Sequence, residues 1–471
     1  MEKLKVALVG VYKYIQKYFH ILIKYCKNIY SKICKVFNVI LCILPKKEKL
    51  FLLILLFVIF FGSIYLIYNK YIHSTEIVPD YGGEYKEGII ADSISDATSV
   101  TNKLTKIGLV SLDKDGQIRP ELASSWNISD DKKEYTFEII DGVNAQELVD
   151  TIKKEKPSWS DIDISSPEEH VVKFNLKQPF APLLANLCEP IFPYGPYKIS
   201  KQNKTDIQFI PNEKFIHAKP YIEKISIYIY PDYNNLLKAL KSKQLDGGSY
   251  ILEAEDLPKN FTYYEIKLPR YLMLFFNLNN QMWQNKELRN KLANSENIGQ
   301  ELNATLVTST KEANTIKAQE IKESWQSLGV NIDTRFYDAK KLQSEIIPQR
   351  QYDLLLYGLD YGYDPDLYPF WHSSQISDKG LNLSNFSDVD ADKLLEQGRM
   401  TLDQEERDKK ISEFNNLFNN QKPAIEIKQE VFAYGISNNI KGVTTDFKAV
   451  IPADRFSGIQ NWYIKEKRVK K

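Results

Sequence analysis

The chain has 471 residues, of which 43% are hydrophobic, 62 are Lys or Arg, 61 are Asp or Glu, and four are Cys. This length accommodates roughly two to four domains or one large two-lobed body, the apolar content excludes wholesale disorder, and four cysteines are too few for a disulfide scaffold. The net charge is +9 over residues 1–49, zero over residues 50–68 and −8 over residues 69–471. Because the positive charge lies only on a short hydrophobic arm, the composition also excludes a bulk nucleic-acid binder.

The first predicted element is a helix over residues 4–44, within an arm that we assign to residues 1–45. At about 100° per residue, its lysines gather in one stripe and its apolar residues cluster on the opposite side. Such an amphipathic helix suits the anionic cytoplasmic surface of a membrane. A helix that packs on a partner membrane protein, with its lysines in solvent, fits the pattern equally well.

An uncharged apolar run from Leu50 to Tyr68 predicts a membrane-spanning helix, and we assign residues 46–71 to it. At about 1.5 Å per residue this run is just long enough to cross the hydrocarbon core of a bilayer. Three lysines at residues 46–49 precede it, so the positive-inside rule predicts a cytoplasmic N-terminal side and an extracytoplasmic position for residues 72–471. No small-residue cleavage site follows, which indicates an uncleaved signal anchor with a tether over residues 72–83.

Beyond the tether, the hydrophobic pattern predicts a mixed α/β region. Residues that alternate between apolar and polar predict strands at 135–139, 172–176 and 225–229, and residues 234–243 predict a helix.

Residues 303–360 predict a strand–helix–strand–helix–strand unit, which is typical of a parallel α/β lobe. Gly329 stands where a glycine commonly ends a helix. Ligands of parallel sheets bind beyond the carboxyl ends of the strands, so a site is expected after Leu359. Two further helices are predicted, with Ser387 as the N-cap of one and Thr401 in a capping box with Gln404 at the start of the next. The predicted bounds within the unit are 303–310, 312–328, 330–336, 338–347 and 352–359.

One group of chemically suggestive side chains follows Leu359. Residues 357–375 combine three carboxylates, Asp360, Asp364 and Asp366, with several aromatic residues. This composition favours an aromatic-lined ligand cleft with an acid that meets a cation. Two alternatives stay open, namely a paired-carboxylate glycosidase site, and a structural turn at Asp364 with the aromatic residues in the core.

The motifs of common enzymes are missing from the sequence. The four histidines after residue 72 are far apart, and there is no H-E-x-x-H, G-x-S-x-G or phosphate-loop pattern. The pattern therefore predicts no catalytic residues, no metal site and no cofactor. Cys188 is expected to be a buried thiol, and it is the only cysteine beyond the arm.

Six segments in order resemble the family of extracellular solute-binding proteins that contains the dipeptide- and oligopeptide-binding proteins of ABC importers. The likeness runs through most of residues 84–430. The segments are IRPELASSW with ISDDKKEYTFEI (118–139), GPYKI (195–199), LLKALKSKQLDGG (236–248), IKESWQSLGVNID (321–333), YGLDYGYDPD (357–366) and GLNLSNFSDVDADKLLEQG (380–398).

The resemblance implies a two-lobed α/β fold of the periplasmic-binding-protein type II class. Lobe I would comprise residues 84–267 and 426–471, and lobe II residues 268–425, with a hinge between them. A peptide or similar solute would be held mainly by backbone hydrogen bonds, with one acid at its α-amino group, and passed to permease subunits. The implied ligand-binding residues are Tyr271, Tyr357, Gly358, Leu359, Asp360, Tyr361, Asp364 and Trp371.

The sequence departs from the family pattern at the motif over residues 357–366. The family tryptophan falls on Leu359, and the motif is one residue short, so the amine-binding position falls on Tyr361 or, with a gap, on Asp360. The segment between Leu288 and Leu306 is also much shorter than in typical members.

The sequence thus predicts a membrane-tethered solute-binding protein that feeds an ABC importer and contacts the bilayer through residues 1–71. The lysine-striped arm supports an alternative, an anchored receptor or scaffold that signals or assembles with membrane partners. A secreted-side hydrolase is a third hypothesis, with no recognisable nucleophile and base.

Overall fold

The chain divides into two compact units. One contains Met1–Val78 and Lys467–Lys471, and the other contains Pro79–Glu466. The predicted amphipathic helix over residues 4–44 lies outside the described part of the chain. The computed structural model describes residues 45–91, 97–364, 366–445 and 447–471.

The first unit contains the predicted spanning helix, α1 (Lys46–Ser74). None of its residues is buried, and within the described ranges it is the one helix long and apolar enough to cross a membrane. The helix ends at Ser74, so the predicted tether over residues 72–83 begins as helix. It continues as strand β1 (Thr75–Asp80), which pairs with β18 (Lys465–Lys470) in a two-stranded sheet.

Two contacts attach this sheet to the end of α1. The backbone N–H of Lys471 donates to the carbonyl oxygen of Ser74 at 3.0 Å. The Arg468 guanidinium donates to the Thr75 hydroxyl at 3.1 Å and lies 6.0 Å from the ring centroid of Tyr71. Residues separated by nearly the whole length of the second unit therefore meet at the end of the helix.

The second unit is mixed α/β, as predicted. Its helices are α2 (Thr98–Thr105), α3 (Ala145–Glu155), α4 (Leu183–Asn186), α5 (Tyr233–Lys241), α6 (Gln281–Gln284), α7 (Lys286–Ala293), α8 (Glu312–Gln326), α9 (Ala339–Lys341, continued by a π-helical turn over Leu342–Ile346), α10 (Tyr368–Trp371), α11 (Val389–Met400) and α12 (Gln404–Gln421). Its strands are β2 (Glu84–Ile90), β3 (Val110–Leu112), β4 (Ile118–Pro120), β5 (Ala123–Ile128), β6 (Glu134–Ile139), β7 (Asp163–Ser165), β8 (Val171–Asn175), β9 (Tyr197–Gln202), β10 (Asp206–Pro211), β11 (Lys224–Tyr230), β12 (Gly247–Ser249), β13 (Phe261–Phe276), β14 (Leu302–Ser309), β15 (Val330–Tyr337), β16 (Leu354–Asp360) and β17 (Ala424–Ser437).

Ten of these strands form one sheet, and smaller sheets flank it. The order in the large sheet is β15-β14-β16-β13-β17-β12-β2-β11-β10-β9. A four-stranded sheet in the order β5-β6-β8-β7 packs with α3 around its own apolar core, which includes Phe137, Phe174 and Ile152. The alternating strands predicted around 135–139, 172–176 and 225–229 are β6, β8 and β11.

The parallel α/β prediction for residues 303–360 is confirmed. β14 runs parallel to both β15 and β16, with Leu306 opposite Thr334 on one side and Leu354 on the other. The helix α8 covers this part of the sheet, and its Trp325 stacks on Phe276 with ring centroids 6.1 Å apart. β16 therefore ends where the sequence places the candidate site.

Two long antiparallel strands, β13 and β17, pair with each other in the middle of the large sheet, between its two halves. Both boundaries predicted between the lobes, 267/268 and 425/426, fall inside these strands. Their pairing shifts register between Lys267 and Tyr271, and the side-chain amide of Gln429 donates to the Leu268 carbonyl oxygen at 2.9 Å across this irregularity. The two halves of the sheet are thus joined by continuous strands whose pairing shifts register twice within residues 267–273.

The N-caps of the last two helices differ from the prediction. The Asp388 carboxylate, not Ser387, accepts hydrogen bonds from the backbone of Asp390 and Ala391 at the start of α11. Asp403, not Thr401, caps α12. In both cases an aspartate one or two residues farther along supplies the oxygen, because a carboxylate interacts more strongly with backbone N–H groups than a hydroxyl does.

Gly329 gives a direct test of the backbone at the end of α8. Its φ of 102° is a conformation that other residues rarely adopt, and a Cβ there would lie 2.4 Å from the carbonyl oxygen of Gln300. Gly329→Ala should therefore lower the free energy of unfolding by about 1–3 kcal/mol, measured by urea denaturation. Gly358→Ala is the matched control, because a Cβ at Gly358 has no atom within 4 Å, and it should leave stability within about 0.5 kcal/mol. Equal losses in the two variants would contradict the assigned strain.

Candidate functional site

The predicted site begins at the carboxyl end of β16. In the antiparallel pairing with β13, Leu359 lies opposite Tyr271 and Asp360 lies opposite Arg270. Leu359 points into the core, whereas Gly358 and Asp360 lie on the exposed face of the strand. The pairing of β13 with β16 therefore brings Tyr271, Leu359 and Asp360 together at the carboxyl end of β16.

Asp360, one of the two candidates, with Tyr361, for the amine-binding position, already has a cationic partner. Its carboxylate accepts from Nε of Arg270 at 2.8 Å and from the backbone N–H of Gly362 at 2.9 Å. The side chain is 47% exposed, and Arg270 also lies 4.0 Å from a carboxylate oxygen of Glu430. The negative charge of Asp360 is thus held in a surface network with an arginine.

The other two carboxylates of residues 357–375 form ion pairs that are less exposed than that of Asp360. Asp364 is buried and accepts two hydrogen bonds from Arg407 of α12, one of them at 2.6 Å. Asp366 accepts from Nε and Nη2 of Arg399 of α11, at 3.0 and 2.8 Å. Burial raises the pKa of Asp366, and the charge of Arg399 opposes that rise. These acids fix the loop to two helices, as the structural-turn alternative predicts for Asp364.

The aromatic residues of the stretch pack mainly against one another. Trp371 is 1% exposed and lies between Phe275 and Phe418, with ring centroids at 5.8 and 4.6 Å. The Tyr361 ring lies 5.4 Å from that of Tyr271, and burial raises the pKa of Tyr361 to about 12.

The Tyr357 side chain lies elsewhere on β16 and interacts with the amide of Gln343, which donates to its hydroxyl at 3.2 Å. Tyr357 and Trp371 thus belong to one apolar cluster, whereas the Asp364 carboxylate is paired with Arg407. Ligand contact by the eight residues proposed from sequence stays a prediction.

The structure draws attention to a neighbour that the sequence prediction omits, Tyr363. Gly362, with a φ of 64°, forms the turn before it, and Tyr363 packs against the core of the four-stranded sheet. Its side chain lines a cavity of about 310 Å³, and burial raises its pKa strongly. The sequence signal that could have identified Tyr363 is its place between Gly362, which forms the turn, and Asp364.

The remaining walls of this cavity come from three segments of predicted lobe I, within residues 103–121, 188–217 and 447–460. Tyr363 is the one lining residue, among those described, that belongs to predicted lobe II. The cavity therefore lies where the loop after β16 meets predicted lobe I.

An ion pair and a histidine–carboxylate contact line the cavity. Nζ of Lys103 lies 2.7 Å from Asp454, which is itself held by the backbone N–H groups of Val450 and Ile451. Nε2 of His217 lies 2.8 Å from Glu121. Each acid of the wall is thus matched by a base of the wall.

Two further lysines and a thiol also line the cavity. Lys106 and Lys448 line the cavity without an ion-pair partner in the described part of the chain. Cys188 is 8% exposed, and burial raises its pKa to about 12, although the charges of Lys448 and Lys103 oppose the rise. This agrees with the predicted buried thiol.

A second contact joins α11 to a segment of predicted lobe I. The Arg399 guanidinium lies 4.2 Å from the ring centroid of Tyr368 and 5.3 Å from that of Phe180. The Arg399 carbonyl oxygen also accepts from the backbone N–H of Ala181 at 2.9 Å. The loop after β16 and the end of α11 therefore both touch predicted lobe I.

Comparison with known proteins shows which family part of the chain matches. Residues 148–294 match the middle region of family 5 of the bacterial extracellular solute-binding proteins. The probable D,D-dipeptide-binding periplasmic protein DdpA of Escherichia coli K12 is 29% identical over 154 residues, which cover 24% of this chain and 30% of DdpA. The chain spans less than half the length of the curated relatives that it matches.

Solved structures share the fold at low identity. A putative peptide-binding protein AppA from Clostridium difficile has a TM-score of 0.70 at 16% identity, covering 81% of this chain and 100% of that one. The oligopeptide-binding protein AppA from Bacillus subtilis, in complex with a nonapeptide, has a TM-score of 0.65 at 16% identity, covering 82% and 100%. The predicted two-lobed periplasmic-binding-protein fold is confirmed.

The buried pair of Asp364 and Arg407 should be essential to stability. Arg407→Met leaves a buried carboxylate without its partner and should lower the free energy of unfolding by about 3–5 kcal/mol. Asp364→Leu combined with Arg407→Met removes both charges and should recover most of that loss. The measurement is urea denaturation of both variants beside the native chain. A double variant less stable than Arg407→Met would contradict the assigned penalty of an unpaired charge.

Proposed function

We propose that this chain, a family 5 extracellular solute-binding protein by its matched region and its fold, captures a peptide or similar small solute outside the cell and delivers it to the permease subunits of an ABC importer. The observation that carries the proposal is the cavity at Tyr363. Its volume of about 310 Å³ lies at the lower end of the range for ligand pockets, which suits a ligand of about two residues. Its walls come from both proposed lobes, so a ligand there would bridge them.

The proposed lobes, residues 84–267 with 426–471 and residues 268–425, would move about β13 and β17. The register irregularity near Leu268 is where the two strands depart from regular pairing, which supports bending at that place. The contacts of Arg399 and Tyr363 with lobe I support a closed arrangement, and a ligand that adds bridging contacts would favour it.

Binding without covalent chemistry is the better-supported mechanism. The matched relatives are solute-binding proteins. The thiol of Cys188 lines the cavity with a pKa of about 12, so it is protonated and a poor nucleophile at neutral pH. The hydrolase hypothesis has no further support in the loop after β16, where Asp364 is committed to Arg407.

The helix α1 supports a single-pass tether in the cell membrane. In the orientation that we propose, the lysines at its start lie in the cytoplasm and residues 72–471 lie outside. Tyr65, Tyr68 and Tyr71 fall near its outer end, where tyrosine side chains favour the interface between lipid and water.

An anchored receptor or scaffold is the second candidate, favoured by the lysine-striped arm, which simple delivery does not need. Chemical crosslinking in membranes, followed by pull-down of the full chain, distinguishes the two. Recovery of permease subunits supports delivery, whereas recovery of other membrane proteins without a permease supports the scaffold.

Labelling of a new cysteine tests the proposed orientation. Val389 is 84% exposed, whereas Cys188 is buried, and the other native cysteines lie in the arm. Val389→Cys in the full chain should react with a membrane-impermeant maleimide in intact spheroplasts, and the native chain should remain unlabelled until lysis. Reaction of Val389→Cys only after lysis would contradict an extracytoplasmic second unit.

Ligand-induced stabilisation tests the cavity. Dialanine at 100 times its dissociation constant should stabilise the full chain in detergent by about 2.7 kcal/mol, seen as a rise in the midpoint of thermal unfolding. Tyr363→Ala should weaken dialanine binding at least tenfold, because it removes the wall supplied by lobe II. Tyr337→Ala, at a tyrosine that does not line the cavity, is the matched control. An equal effect of the two variants would contradict the cavity as the ligand site.

A further inference from the structure

The carboxylates that could receive an α-amino group are already occupied. Asp360 pairs with Arg270, Asp364 with Arg407 and Asp366 with Arg399. An ammonium group that approached any of these acids would have to compete with an arginine that is already in place. The motif over residues 357–366 therefore holds acids but offers no unpaired negative charge.

The cavity at Tyr363 has the opposite character. Of its two acids, Asp454 is paired with Lys103 and Glu121 contacts the His217 ring, which leaves Lys106 and Lys448 as the lysines without an ion-pair partner among the described lining residues. Lys106 is half-buried directly after the end of α2, and Lys448 is exposed. Neither lysine has an ion-pair partner within the described part of the chain.

The apolar lining makes the positive charge of the two lysines selective for a negatively charged ligand group. Buried apolar residues such as Val110, Phe456 and Ile459 line the same cavity, so a charged group that enters loses much of its hydration. A carboxylate regains that loss through charge-assisted hydrogen bonds to the two ammonium groups. A ligand ammonium group would instead be repelled by them.

We infer that the cavity selects its solute by a carboxylate, through Lys106 and Lys448, and that a free α-amino group is not required. This inference rests on the proposed function, because it assigns a ligand class to the same cavity. The class comprises small solutes of about two residues that carry a free carboxylate, including peptides whose amino group is blocked. Tyr363 would cover the bound ligand from the other lobe.

Three probes of matched size test the inference on the full chain in detergent by isothermal titration calorimetry. They are dialanine, N-acetyl-dialanine and dialanine amide, which carry respectively both charges, the carboxylate alone and the ammonium alone. N-acetyl-dialanine should bind within about threefold of dialanine, and dialanine amide at least tenfold more weakly.

Substitutions at the two lysines identify the charges responsible. Lys106→Met and Lys448→Met should each weaken binding of N-acetyl-dialanine by about tenfold or more, and Lys106→Arg should restore most of the affinity. Lys153→Met, at an exposed lysine of α3 outside the cavity, is the matched control and should change affinity less than twofold. Unfolding midpoints of the variants without ligand verify that each is folded.

The outcomes separate this inference from the proposed function. Binding of dialanine amide as tight as that of N-acetyl-dialanine, or methionine variants that bind like the native chain, would overturn the carboxylate selection and leave solute capture in place. Failure of all three probes to bind the native chain would contradict both. Binding of N-acetyl-dialanine that is lost in the two methionine variants and kept in Lys153→Met would establish the inference.

Discussion

The pairing of each acid in the loop after β16 with an arginine is the constraint on which the candidate site depends. A buried carboxylate is costly unless a cation and hydrogen bonds accompany it, and Arg407 supplies both to Asp364. Burial lowers the pKa of Arg407, but the hydrogen bonds and charge of Asp364 outweigh that effect and raise it. The loop is thereby held against α11 and α12, and this anchorage places Tyr363 at the wall of the other lobe.

The ion pairs of the loop and the proposed hinge between the lobes would serve the same arrangement. The long strands β13 and β17 run through both proposed lobes, so the lobes cannot separate without bending continuous strands. The loop, in contrast, moves with the helices to which its acids are attached. Closure would therefore carry Tyr363 as part of a rigid body onto the cavity, and the affinity for a solute would depend on few mobile side chains.

The sequence predicted the elements of the fold far better than the partners of the acids. Hydrophobic periodicity located β14, α8, β15 and β16, because burial of one face leaves a local pattern. The arginine partners of Asp360 and Asp364 lie 90 and 43 residues away along the chain, and no local pattern connects them. Trp371 was assigned to a cleft on residue type alone, whereas packing places it in the core. Tyr363 lies in a loop, where periodicity carries no information.

The sheet of β1 and β18 imposes an order on biogenesis. Its members Thr75 and Arg468 are 393 positions apart, and β1 directly follows α1. During export in the proposed orientation, β1 emerges among the first segments and keeps an unpaired edge until β18 has followed it. Completion of this ribbon thus reports that translocation of the whole intervening region has finished. A chain stalled midway would leave β1 with an unpaired edge, which is a site where strands of other chains are able to pair.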